Sequence, residues 1–136
     1  MNGASRYKNQ HKIILSMCSA LEVAAQPEAI KDDFDYLWSV LKTLDDILTT
    51  HLKAEDDFLY PRLINGEDKP LSEVAKKIQD EMGTVSIAYG MYKEKFSSKE
   101  SILENIESFY KETKLIVAAL DERIAKEEKE LFSMIR

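Results

Sequence analysis

The sequence predicts an all-α fold, an antiparallel up-down-up-down four-helix bundle, on three observations. Apolar residues recur at steps of three and four along four long stretches, as on amphipathic helices. No stretch alternates apolar and polar residues with a period of two. The connections are short, with only four glycines and three prolines in 136 residues, and short connections put successive helices antiparallel.

The first helix begins near Tyr7, after a start over residues 1 to 5 that reads as disordered. Its stripe is His11, Ile14, Leu15, Cys18 and Leu21. It should end near Ala25, because Pro27 lacks the N–H that a helix interior needs. Residues 28 to 33 read as a connection or a ragged helix start. The second helix is the longest. Phe34, Leu37, Val40, Leu41, Leu44, Ile47, Leu48, His51, Glu55 and Phe58 form its stripe, and it should fade at Pro61 or a few residues beyond. Residues 65 to 70, with Gly66 and Pro70, are a loop. The third helix spans about 72 to 96 with Ile78, Met82, Val85, Tyr89, Tyr92 and Phe96 facing inward. Gly83 and Gly90 flank that stripe with Ser86 between them. They either permit a close approach or are merely tolerated. Ser97 and Glu100 have the spacing of a capping box. The fourth helix then carries Ile102, Ile106, Phe109, Thr113, Ile116, Val117, Leu120, Ile124, Glu127 and Leu131.

Composition narrows the function. At 44% hydrophobic and 32% charged residues, the chain reads as soluble and globular, and residues 1 to 136 are expected to form one domain. A net charge of -6, with no lysine–arginine cluster, argues against a nucleic-acid surface. No apolar run is long enough to span a bilayer, and residues 1 to 8 are too polar for a signal peptide. Cys18 is the single cysteine and has no internal disulfide partner. These features suit a cytoplasmic protein, a monomer or a homodimer.

Polar residues interrupt the inner stripes. His51 and Glu55 stand four apart on the second helix, hence on one face. Arg123 and Glu127 repeat that spacing on the fourth, and His11 lies on the first. Burying such groups is costly unless something pairs with them. Inward histidines and carboxylates on facing helices are how bundles build metal sites, and imidazole with carboxylate suits iron, zinc or manganese. Each residue also has a plainer reading. A lone His11 is more often a hydrogen-bonded histidine. Glu127 lies in Lys126-Glu127-Glu128-Lys129-Glu130, and such runs are usually solvated. Arg123 can pair with Glu127 along the helix surface. Asp56, Asp57, Glu128 and Glu130 are expected outside the core, and Lys53 and Lys126 in solvent.

Three segments together resemble the hemerythrin-like, or HHE cation-binding, domain. They are His11-Lys12-Ile13-Ile14, then His51-x-x-x-Glu55-Asp56-Asp57-Phe58-Leu59-Tyr60-Pro61, then Arg123-Ile124-Ala125-Lys126-Glu127-Glu128-Lys129-Glu130-Leu131-Phe132. The resemblance covers nearly the whole chain. It implies a four-helix bundle around a non-haem di-iron centre that binds dioxygen or nitric oxide, or senses iron and oxygen. It also implies that His11 and His51 belong to one iron and that Glu55 and Glu127 bridge two. The family's third-helix histidine falls on Met82, a second falls near Ser86, and the histidine opening the last motif falls on Arg123. The ligands of one metal are kept and the nitrogen ligands of its neighbour are absent.

Three readings follow. In the first, His11, His51, Glu55 and Glu127 hold one iron, zinc or manganese ion, and Arg123 supplies the charge of the missing metal. The chain is then a metal-binding or sensing module with a small gas ligand or a partner protein still unnamed. In the second, no metal binds and the same groups form the polar core of a binding or scaffold protein. In the third, two metals persist with help from Glu81 or Tyr89. A non-haem iron oxidase or peroxidase is a further alternative, but no nucleophile with its base is apparent, and no catalytic residue is assigned.

Overall fold

The structure, a computed structural model, describes residues 4–135, all of whose regular elements are helical. Part of the expected disordered start lies outside these residues, and α1 already begins at Ser5 (Ser5–Ala24). The segment after it is a short helix, α2 (Pro27–Asp32), with the proline in its first turn. That position needs no N–H donor, so Pro27 opens one helix where it closes another. The long helix α3 (Phe34–Ala54) is capped by Asp33, whose side chain accepts the Tyr36 N–H at 3.1 Å. A π-helical turn over Glu55–Leu59 follows, and then α4 (Tyr60–Ile64). Asp68 caps α5 (Lys69–Met82) by accepting the Leu71 N–H. Beyond lie α6 (Thr84–Lys95), α7 (Lys99–Leu103) and α8 (Ile106–Lys126), the last running into a second π-helical turn at Glu127–Leu131.

Helices α1, α3, α5 with α6, and α8 form an all-α bundle, as the periodicities predict. Three details differ. The capping box uses Ser98 and Ser101, not Ser97 and Glu100, because the Ser98 hydroxyl accepts the Ser101 N–H. The third helix is broken at Gly83. Phe58 is 67% exposed while Leu59 is 2% exposed. The π turn inserts one residue per turn relative to an α-helix, so the inward face advances from Phe58 to Leu59 and Tyr60.

Burial divides the interior. A long apolar core includes Ile14, Leu37, Leu44, Tyr92, Phe109 and Leu120. A smaller one at the other end includes Leu59, Tyr60, Ala75, Ile78, Leu131 and Phe132. Between them on the helices lie His11, His51, Glu55, Arg123 and Glu127, all buried. Met82 packs against both cores.

The backbone at the break leaves no room for a side chain at position 83. A methyl group there would lie 2.6 Å from the Gln79 carbonyl oxygen, whereas one at Gly90 would meet nothing within 4 Å. Gly83→Ala is therefore expected to cost about 1–3 kcal/mol, and Gly90→Ala to be neutral or to stabilise by up to about 1 kcal/mol. Urea midpoints of the two variants check this. Equal midpoints would show that the break at Gly83 can straighten freely.

Candidate metal centre

The polar layer is assembled by one turn from each of three helices. Helix α1 presents His11, whose place among Ile14, Cys18 and Leu21 puts it on the buried face. Helix α3 presents His51, and Glu55 follows one turn later as the first residue of a π turn. Helix α8 presents Arg123, with Glu127 opening the other π turn. Both carboxylates thus stand where a helix widens, a geometry frequent at functional sites.

The imidazoles and carboxylates converge. His51 Nε2 is 3.0 Å from Glu55 Oε2. His11 Nε2 is 3.1 Å from Glu127 Oε1 and 3.5 Å from Glu55 Oε2. One ligand atom from each of the four side chains lies within 4.8 Å of all the others. These four atoms are close yet none is aligned as a hydrogen bond, so all four are buried without a hydrogen-bond partner. Buried polar atoms are rarely left so. Two imidazole nitrogens and two carboxylate oxygens left bare at one point fit a metal ion, and the four side chains could hold one.

The outward nitrogens are tied down. His51 Nδ1 meets Gln10 Oε1 at 2.7 Å, and His11 Nδ1 meets Glu128 Oε2 at 2.6 Å. If each Nδ1 carries the proton, each Nε2 presents its lone pair inward, the usual arrangement behind a metal-bound histidine. Phe132 stacks on the His11 ring and Tyr7 abuts that of His51, which closes the layer on the side of the smaller core.

The second oxygen of each carboxylate faces Arg123, which is 2% exposed. Its Nη2 donates to Glu55 Oε1 at 3.0 Å and its Nε to Glu127 Oε2 at 3.3 Å. Nη2 also donates to Asp56 Oδ1 at 2.7 Å, and Nη1 to Ser86 Oγ at 3.0 Å. The Ser86 hydroxyl in turn donates to Asp56 Oδ2, and Tyr60 donates to Glu127 Oε2 at 2.7 Å. Each carboxylate therefore has one oxygen on the histidines and one on the guanidinium.

The charges respond to this packing. Burial opposes protonation of His11, but contacts with Glu127 and Glu55 outweigh it and raise its pKa to about 10. Glu127 is raised to about 7, by burial and then by the charge of Glu55. For Glu55 burial acts upward too, but His11 and His51 prevail and hold it well below the ordinary carboxylate range. Cys18 stands apart. Burial, then Asp121 and Glu22, push its thiol up to about 12, which suits an inert core residue.

Asp56 and Glu128 lie outside the core as expected, 33% and 38% exposed, yet one is bonded to Arg123 and the other braces His11. Glu81 pairs with Lys126 and the Tyr89 hydroxyl donates to Asp45, so neither reaches the layer. Gln10, Tyr60 and Ser86 are further partners that the apolar stripes do not mark. The signal for Ser86 was present, since it lies four residues after Met82 on the helix that lacks histidines.

A family model described as the hemerythrin HHE cation binding domain matches residues 2–135. No curated protein and no solved structure gives a significant match.

Proposed function

Because the chain belongs to the hemerythrin HHE cation-binding family, we propose that it is a metal-binding or sensing module that holds at most one metal ion. His11, His51, Glu55 and Glu127 would hold the ion, and Arg123 would stand where the family's second metal belongs. The observation that carries this reading is the set of four buried atoms with no hydrogen-bond partner, each paired in the same side chain with an atom that is anchored elsewhere. An ion there would supply the positive charge that two buried carboxylates require. Iron, zinc and manganese all accept this donor set. The test is metal per chain in protein purified without added metal. One equivalent supports the proposal. Two equivalents, or none after exposure to each of these metals, overturn it.

A second reading is a metal-free binding or scaffold protein. It is favoured by the Arg123, Asp56 and Ser86 network, which satisfies half of each carboxylate without an ion. The pH dependence of stability separates the two. A histidine whose folded pKa is raised to about 10 stabilises the protein fully below about 6.5, and that stability disappears as the pH rises toward 10. Glu127, raised from 4.5 to about 7, also favours the folded state less as the pH climbs through that interval. Glu55, held low, acts oppositely and loses its contribution only in acid. Metal-free protein should thus melt at progressively lower temperature between pH 6 and 10. A bound divalent ion replaces the protons and should flatten that slope. Parallel slopes with and without metal would argue for the metal-free core.

A further inference from the structure

We propose that the outer face of α6 and α8 joins two copies of this chain as an antiparallel dimer, each α8 lying over the α6–α8 groove of the other. The inference goes beyond the metal-binding reading and holds whether or not the polar layer contains an ion.

The face is apolar and contiguous. Helices α6 and α8 run antiparallel, because Ser86 meets Arg123, Tyr92 meets Thr113 and Lys95 meets Glu112. Ile87 and Met91 stand one turn apart on α6, and Leu115 faces outward on α8. They are 64, 68 and 71% exposed, three of the nine large apolar side chains left in solvent among the described residues. The other six are spread over α1, α3, the first π turn and α7. Between Met91 and Leu115 runs a groove of about 490 Å³, lined by Tyr92 and Ile116 and by the small residues Ala88 and Ala119. Single exposed apolar residues are ordinary, but a contiguous apolar strip marks an interaction site.

Charge identifies the occupant. The exposed stripe of α8 reads Lys111, Leu115, Ala118, Glu122, at steps of four, three and four. It is its own complement when reversed. A two-fold axis between Leu115 and Ala118 sets each leucine against the other copy's alanine, large against small. The same axis sets each Lys111 against the other copy's Glu122. Such an interface is isologous, one patch meeting itself. Lys111 and Glu122 are exposed and make no hydrogen bond or ion pair among the described residues, so both are free to pair across it. A parallel arrangement would place lysine on lysine and glutamate on glutamate, which is repulsive. Lys95 at one end of the face and Lys126 at the other are already paired within the chain, with Glu112 and Glu81. The strip is short, since the 12 residues of α6 extend only about 18 Å. The dimer therefore belongs to the small, weak class of interface, with a dissociation constant in the micromolar range.

The experiment is sedimentation equilibrium of the full chain at micromolar concentrations, up to about 1 mM. Wild type should show a monomer–dimer equilibrium. Leu115→Glu sets like charges beside the axis and should remain monomeric throughout. Lys111→Glu and Glu122→Lys, each alone, should weaken the dimer by about tenfold. Combined in one chain they restore the pair in reverse and should return the dissociation constant to within about threefold of wild type. Net charge alone would act otherwise, because it moves in opposite directions in the two single variants. All three positions are exposed and lie outside the polar layer, so unchanged helical circular dichroism and urea midpoints confirm that each variant folds. Four results overturn the inference: wild type monomeric at every concentration, a dimer that survives Leu115→Glu, single reversals that act in opposite directions, or a double reversal that fails to restore. None of them bears on the metal count, which tests the other reading by itself.

Discussion

Arg123→Ala is expected to cost the metal-free protein about 3–5 kcal/mol of unfolding free energy, the usual penalty for removing one partner of a buried ion pair. The guanidinium is as deeply buried as the aliphatic core and makes four polar contacts, to Glu55, Asp56, Ser86 and Glu127. Glu127 would keep its Tyr60 hydroxyl, but Glu55 Oε1 would lose the donor that Arg123 Nη2 provides. The lost volume adds a cavity in the same place. Denaturant midpoints at constant slope give the number. A loss under about 1 kcal/mol is what a solvent-exposed pair would give, and it would remove the electrostatic role assigned to Arg123. The companion variant joins Arg123→His to Met82→His and should bind a second metal per chain. Failure of that gain would place the origin of the one-metal site elsewhere than in these two positions.

Glu55→Gln is expected to abolish metal uptake while disturbing the fold less than Arg123→Ala. A glutamine offers one oxygen and one NH2 group where the carboxylate offers two oxygens. Arg123 needs an acceptor at the Oε1 position, so the amide oxygen settles there. The NH2 group is then turned toward His11 and His51, where it has no lone pair for a metal. Loss of one of four ligands together with a negative charge should lower affinity by at least two orders of magnitude, more than the 10–100-fold typical of an outer-shell change. Metal counts on dialysed protein are the measurement. Unchanged stoichiometry would mean that the ion sits elsewhere or binds adventitiously.

Much of this architecture is legible in the sequence, and the exceptions have physical causes. Helical periodicity places His11, His51, Glu55 and Glu127 on inward faces because the stripe runs unbroken from Leu37 through Leu48 and from Phe109 through Ile124. Past Glu55 the same periodicity misassigns Phe58, since propensity contains no term for a widened turn forced by tertiary packing. Asp56 escapes the pattern too. In an unbroken α-helix it would be 100° from Glu55, whereas here both carboxylates reach one guanidinium. Ser98 and Ser101 close a capping box that lacks the usual Glu or Gln at the third position. The hydrogen-bonded neighbours Gln10, Tyr60 and Glu128 are not recoverable by spacing alone. Each is fixed by a partner 41, 67 or 117 residues away.

The two widened turns have a consequence for how the molecule tolerates change. Each shifts the phase of its helix: the face that points inward after it is not the one an α-helical count from before it would continue. The polar layer lies at those turns, with the long core on one side and the smaller core on the other. The two apolar regions share Met82, which packs against both. Substitutions elsewhere in one should add to substitutions in the other rather than couple with them, whereas changes beside Met82 should couple across the polar layer.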